Sequence, residues 1–325
     1  MIKHKSIKYK NKYLYEKNKY LKIMTYNLCW EALEGKYSKP NLIKKSNGLN
    51  MEHCNIQLDN KPYNICLMNM IEIINNKLNE DYDFLCFQEI NLNNFNQMKD
   101  TLNLNNYNNI ITPSKNKNVD MITLYNYKKY ELLKQYPKQK IYDYDINDKS
   151  NLNDNSDKSA RPFQISLYKN KIDKTLIILI NVHMPHIYKY DTSINNKNFN
   201  YDHIYTFNKI KKYMDKLIDN NEIDNFILCG DFNFNEPFKL FNFNDILNIN
   251  FINDKLIKTC CYLNNDKILN YKKYQKSYDH IFISNHKYNN MKYDTLNEND
   301  LLKYSNTKHF ISDHLPLFSE YYYDK

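Results

Sequence analysis

Hydrophobic and polar positions alternate in short runs along most of this chain. Leu21 to Asn27 shows a period of two and predicts a strand. Ile65, Met68, Ile71 and Leu78, with Leu67 and Ile74 alongside, recur at helical spacing and predict an amphipathic helix over about 62–79. Asp83 to Glu89 is an almost continuous apolar run closing on Gln88-Glu89, the pattern of a buried strand with a polar end. Met121 to Tyr125, Phe163 to Tyr168 and Leu176 to Val182 predict three more strands, the last two joined by a polar turn from Lys169 to Lys174. Ile204, Phe207, Ile210, Met214 and Leu217 predict a second amphipathic helix leading into a strand at 226–229. Short strands at 279–284 and 314–320 complete the set. Residues 36–60 and 188–202 are polar and loop-like, and the Asp- and Asn-rich stretch 141–159 reads as a mobile surface insertion.

No internal repeat or linker divides this pattern. Strands and helices mix without strict βαβ alternation, which predicts a layered α+β or sandwich architecture in a single domain over 21–325, preceded by a basic, flexible arm over 1–20.

Composition changes the picture in three places. First, hydrophobic residues make up 42% of the 325 positions, enough for a sizeable core and too many for global disorder. The wealth of Asn, Lys and Tyr beside only 3 Gly reads as codon bias from an AT-rich genome, and it weakens Asn as a turn signal. Second, the 7 cysteines show no CxxC spacing, and an odd number without a signal peptide predicts reduced, intracellular thiols. Cys86 and Cys229 fall inside apolar runs and read as core residues; His53, Cys54 and Cys66 make a poor tetrahedral set for zinc. Third, the net charge of +9 is mostly local, since residues 1–22 alone contribute +7 and the body about +2. That arm reads either as a phosphate-attracting segment or as a solvated leader in a Lys-rich chain. No apolar run is long enough to span a membrane. The expectation is an intracellular monomer, cytoplasmic by default, with an arm that would equally serve nuclear entry.

The candidate chemistry lies at the ends of the apolar runs. In order these ends carry Asn27, Gln88-Glu89, His183, Asp231 with Asn233, Asp279-His280 and Asp313-His314. Strand ends of one sheet converge on one rim, where loops supply a site. Hard oxygen donors such as Glu89, Asp313 and Asn27 suit Mg²⁺ or Mn²⁺. Phosphodiester cleavage needs charge neutralisation, an activated water and a protonated leaving group, and a metal with carboxylates and histidine can supply all three. Asp231 and Asn233 can orient a water and a phosphate oxygen, and Asp279 can hold His314 in one tautomer. Taken singly, Gln88-Glu89 also reads as a cap or turn, and His183 competes with His186, one of the pair being an ordinary surface residue.

As a set, Met24-Thr25-Tyr26-Asn27, Phe87-Gln88-Glu89, Asn181-Val182-His183, Gly230-Asp231-Phe232-Asn233, Tyr278-Asp279-His280-Ile281-Phe282 and Ser312-Asp313-His314 resemble the endonuclease/exonuclease/phosphatase superfamily. The resemblance spans residues 24–317 and implies an α/β, DNase I-like four-layer sandwich, two packed β-sheets flanked by helices. It further implies a divalent metal at Asn27 and Glu89 with Asp313 close by, Asp231 and Asn233 around the attacking water and phosphate, Asp279 paired with His314, and His183 on the scissile phosphate. Arg161, just before a predicted strand, sits where nucleases of the superfamily place a phosphate-contacting arginine; it reads equally as a surface arginine.

Departures narrow the substrate. Cys29 stands where AP endonucleases carry an acid, and His183 where they carry tyrosine; Ser277-Tyr278-Asp279-His280 lacks the arginine of the inositol phosphatases. The resulting expectation is an Mg²⁺- or Mn²⁺-dependent phosphodiesterase or nuclease acting on nucleic acid. The alternatives are a phosphatase or phosphodiesterase on a small molecule or lipid headgroup, and an inactive binding module.

Overall fold

The computed structural model describes residues 20–29, 32–33, 54, 64–90, 92–112, 120–136, 162–184, 201–218, 221–237, 246–252, 256–260, 276–284, 288–297, 299–300 and 312–323. The arm before Tyr20, the insertion at 141–159, most of the loop-like stretches 36–60 and 188–202, and Arg161 lie outside them. The strands are β1 (Tyr20–Asn27), β2 (Phe84–Ile90), β3 (Tyr107–Thr112), β4 (Asp120–Asn126), β5 (Tyr130–Tyr136), β6 (Phe163–Asn170), β7 (Leu176–His183), β8 (Asn225–Asp231), β9 (Phe251–Ile252), β10 (Asp279–Ser284), β11 (Tyr288–Thr295) and β12 (Leu317–Tyr323). The helices are α1 (Ile65–Asn79), α2 (Leu92–Lys99) and α3 (Tyr201–Ile218). None of these helices is long and apolar enough to cross a membrane.

The strands form two six-stranded mixed sheets, ordered β11-β12-β1-β2-β4-β3 and β5-β6-β7-β8-β10-β9. A strand's side chains point alternately to opposite faces, and that period builds the layers here. On β1, Met24 and Tyr26 face α1, while Leu21 and Ile23 face the other sheet. On β7, Ile178 and Ile180 pack with Phe207, Ile210, Met214 and Leu217 of α3, while Ile177 and Leu179 face the first sheet. Three apolar layers therefore separate four structural ones, a helix–sheet–sheet–helix sandwich.

The structure departs from the pattern-based expectation in instructive ways. β3, β5, β9, β11 and α2 have no counterpart in it. β3, β5, β9 and β11 are the outer strands of the two sheets. β5 reads Tyr-Glu-Leu-Leu-Lys-Gln-Tyr with only Tyr130 buried, so it lacks a hydrophobic period. In α2 only Asn94, Phe95 and Met98 are buried, too few to mark a helix. The last strand begins at Leu317, not at residue 314, because Pro316 has no N–H for a ladder and Leu315 N–H is drawn to Thr259 O instead. α1 begins at Ile65, where the Asn64 side chain accepts a hydrogen bond from Leu67 N at 2.8 Å. Cys54 and Cys66, expected as reduced thiols, are joined in a disulfide, and Cys260 is disulfide-bonded as well.

Candidate functional site

Each strand facing the other sheet starts apolar and turns polar toward one end. Along β1 the inward series is Leu21, Ile23, Thr25, Asn27; along β2 it is Phe84, Cys86, Gln88; along β7 it is Ile177, Leu179, Asn181, His183. β8 contributes Ile227, Cys229 and Asp231, and β10 runs the opposite way, from Asp279 to Ile281 and Ile283. The polar ends meet because β7 and β8 are parallel, pairing His183 with Asp231, and β10 is antiparallel to β8, pairing Asp279 with Asp231.

The two sheets contribute different halves of this rim, and the contacts cross between them. Asn27, Glu89 and the turn Ser312-Asp313-His314 belong to the first sheet; His183, Asp231, Asn233 and Asp279 belong to the second. Asn27 Nδ2 donates to Asp231 Oδ2 at 2.9 Å. His183 Nε2 lies 3.2 Å from Glu89 Oε1 and 3.7 Å from Asp231 Oδ2. His314 Nδ1 lies 2.8 Å from Asp279 Oδ2, and its Nε2 is 3.8 Å from Asp231 Oδ2. Asn233 closes the second half, donating its N–H to Asp231 Oδ1 at 2.7 Å and its Nδ2–H to Met184 O at 2.7 Å. Ser312 ties the first half together: its hydroxyl donates to Asn27 O at 3.1 Å and accepts from His314 N at 3.1 Å.

Unusual backbone clusters here. Cys29, Glu89 and Asn233 all have positive φ, at 56°, 54° and 52°. A non-glycine residue in that region is strained and persists only where its surroundings dictate it. At Glu89 the cause is visible, since the pairing of β2 with β4 breaks between Phe87 and Ile90. That bulge re-aims the Glu89 carboxylate toward His183 across the sheet gap.

Burial and like charge shape the electrostatics. Burial pushes the Asp313 carboxyl up to about 6; the neighbouring His314 opposes the rise, and Glu89 and Asp231 add to it. Burial alone would lower His314, but Asp279, with Asp313 and Asp231 behind it, outweighs that and holds the imidazole well above its ordinary value. Glu89 and Asp231 add like charge to the buried Asp313 carboxyl, and a hard divalent cation among such oxygen donors would relieve that part of its rise. The donor atoms of Asp231, Asp279 and His314 also gather within 4.8 Å of one another. There, however, Nδ1 of His314 is committed to Asp279, so an acid–base pair describes them better than a metal cage.

A stability test follows from Asp313. Its folded value of about 6 lies above the unfolded 3.8, so its contribution to stability is complete below that lower value and lost as pH rises through about 6. Metal-free Asp313→Asn should therefore melt above wild type at pH ~7.5 and level with it near pH 4. Calorimetry in a chelator checks this; a variant that melts lower at both pH values would show that the carboxylate is not crowded.

Two further placements matter. His280, adjacent to Asp279, points to the other face of β10, stacks on Phe282 at 5.3 Å and meets Phe234 O at 3.1 Å. A contact that sequence reasoning missed is Cys260, whose Sγ lies 3.3 Å from His314 Nε2. Cys260 pairs with His314 in an isolated bridge, and the adjacent Thr259 Oγ1 accepts from Asp279 N at 3.3 Å. No strand pattern surrounds Thr259 and Cys260, so the sequence carried no signal for either.

No family model and no curated protein matches this chain in sequence. Solved structures do match in fold. The human Nocturnin catalytic domain, solved with a bound sulfate anion, is 13% identical with a TM-score of 0.54, over 94% of this chain and 95% of that one. A mannosyl-6-phosphatase from Bacteroides thetaiotaomicron is 17% identical with a TM-score of 0.55, over 93% and 100%. TDP2 of D. rerio, solved with a single-strand DNA product, is 12% identical with a TM-score of 0.53, over 93% and 98%. At these identities the likeness concerns architecture, and it agrees with the two sheets and their flanking helices: the chain has the fold of the endonuclease/exonuclease/phosphatase superfamily.

Proposed function

We propose that the chain is a divalent-metal-dependent phosphodiesterase acting on nucleic acid. The observation that supports it most is the convergence, from two sheets, of buried carboxylates, amides and histidines on one rim, with Asp279 bonded to His314 Nδ1 at 2.8 Å. Asn27, Glu89 and Asp313 would hold Mg²⁺ or Mn²⁺, which when bound neutralises phosphate charge. His314, kept cationic by Asp279, would offer its Nε2–H to a phosphate oxygen as negative charge builds. Asp231, fixed by Asn27 and Asn233, would orient the attacking water and accept its proton as the phosphorus–oxygen bond to the leaving group breaks; the departing oxyanion would take a proton from solvent, to which Asp231 later returns its own. His183, braced by Glu89, would contact the scissile phosphate, with Asn233 and Arg161 as further phosphate contacts.

A second substrate class, a phosphorylated small molecule or lipid headgroup, draws support from charge. Outside residues 1–22 the chain carries only about +2, whereas a nucleic-acid groove is ordinarily basic. The resemblance in fold to a sugar phosphatase points the same way. The test is hydrolysis of labelled single- and double-stranded DNA and RNA, and of a sugar phosphate, by wild type and Glu89→Gln with and without Mg²⁺. Nucleic-acid cleavage that needs both metal and Glu89, and weakens steeply with salt, is the expected result. Turnover of the sugar phosphate alone would move the substrate to the second class; metal-independent cleavage would sink the proposed role of Glu89.

A further inference from the structure

One layer below the rim, the gap between the sheets is unexpectedly polar. Thr25, Gln88, Thr123 and Asn181 are all fully buried there. Gln88 Nε2 donates across the gap to Asn181 Oδ1 at 2.7 Å. Thr25 Oγ1 lies 3.0 Å from Gln88 Nε2, and Asn181 Nδ2 reaches Thr123 Oγ1 at 3.3 Å. Beneath this layer the same five central strands are apolar: Ile23, Cys86, Leu179, Ile227 and Ile283. Apolar side chains of similar volume would fill the same space without the desolvation that buried amides incur. Fold stability alone therefore gives no reason for amides here.

Their position supplies one. Gln88 immediately precedes Glu89, and Asn181 stands two residues before His183 on the same face of β7. Glu89 and His183 meet across the sheets at 3.2 Å. Apolar contacts are non-directional and tolerate sliding of one sheet over the other, whereas a hydrogen bond fixes both distance and direction. Building on the phosphodiesterase reading above, we infer that the Gln88–Asn181 amide bond is a positioning contact that sets the separation of Glu89 and His183 across the sheet gap. Neither amide touches substrate or metal; both act through the neighbours they place. The bulge at Glu89 makes such a tether necessary, because the β2–β4 ladder is interrupted there and does not itself fix the carboxylate.

The test compares wild type with the double variant Gln88→Leu/Asn181→Leu and with the exchange Gln88→Asn/Asn181→Gln, which keeps the combined length of the two side chains. Three readouts are taken: melting temperature, kcat and KM on the best phosphoester, and the Glu89–His183 distance in crystals. The leucine variant leaves the buried Thr25 hydroxyl unpaired and should melt slightly below wild type, lose on the order of 10²-fold in kcat with KM little changed, and show Glu89 and His183 drawn apart. The exchange should restore most of the rate and the 3.2 Å approach. A leucine variant with wild-type kcat and unchanged spacing overturns the inference, as does a rate loss that tracks melting temperature without rescue by the exchange. Should the leucine pair not fold, Asn181→Ser, shorter but polar, takes its place with the same two outcomes. Should wild type hydrolyse no phosphoester, the functional reading falls, and the crystallographic spacing alone decides the positioning role.

Discussion

Replacing His314 with alanine should slow phosphoester hydrolysis by about 10²- to 10⁴-fold while leaving the fold intact. The side chain is buried but lies at the rim, and its ring makes one strong contact, Nδ1 to Asp279 Oδ2 at 2.8 Å. That bond leaves Nε2 between Cys260 Sγ at 3.3 Å and Asp231 Oδ2 at 3.8 Å, where a phosphate oxygen would arrive. The charge on the ring depends on Asp279, the largest influence raising a group that burial alone would lower. The companion variant Asp279→Asn should therefore also lose most activity, and its remaining activity should fall away at lower pH than wild type's as the imidazolium gives up its proton earlier. The same pair has a signature in stability. Its folded value lies above the unfolded 6.5, so its contribution is complete below that value and disappears as pH rises through the raised one. Pre-steady-state rates across pH, with melting curves at each pH, separate the two effects. Full activity in His314→Ala would remove this residue from the chemistry and leave Asp231 and the metal-binding oxygens to account for it.

Much of this arrangement was legible before any coordinate. The inward series on β1, β2, β7 and β8 read apolar, apolar, then polar at a period of two, and a side chain's face follows from that parity alone. Asn27, His183 and Asp231 each read as the polar end of an apolar run, and the structure brings their side chains together. Parity failed at Glu89, which stands one residue past the inward series of Phe84, Cys86 and Gln88 and reaches the rim only through a bulge at φ 54°. A bulge adds a residue without changing composition, so no periodic signal marks it. The division of the rim between two sheets was equally hidden. Strand order is set by pairings between distant segments, such as β1 with β12, which a local pattern does not encode. The buried Gln88–Asn181 bond was invisible for the same reason: each amide, alone in its strand, reads as the polar end of an apolar run. Cys260 and Thr259 come to His314 and Asp279 from residues 256–260, which form no helix or named strand.

Gly230→Ala should be the most damaging single substitution to stability in the rim. This glycine has φ +136°, a conformation that residues with a side chain rarely adopt. An added Cβ would also stand 1.9 Å from the backbone carbonyl oxygen of Val182 and 2.9 Å from that residue's carbon and nitrogen. No rotamer relieves such a contact, because the obstacle is the neighbouring strand itself. Backbone strain of this kind costs about 1–3 kcal/mol, and forcing β7 from β8 adds the loss of their ladder, so a total above ~3 kcal/mol is expected. For a chain of 325 residues that lowers the melting temperature by roughly 4–5 °C or more. The damage is directed as well as large. Val182 and Gly230 are paired in the parallel ladder, and the next pair along is His183 with Asp231. Separating the strands at this point moves both residues, so the fraction still folded at low temperature should hydrolyse poorly even when activity is corrected for folded protein. Calorimetry alongside active-site titration distinguishes the two losses. Cys229→Ala is the control: it removes buried volume one residue away without adding an atom to the strand interface, and should leave the His183–Asp231 pair in place. If Gly230→Ala melts with wild type, the close approach of β7 and β8 is not what holds His183 beside Asp231.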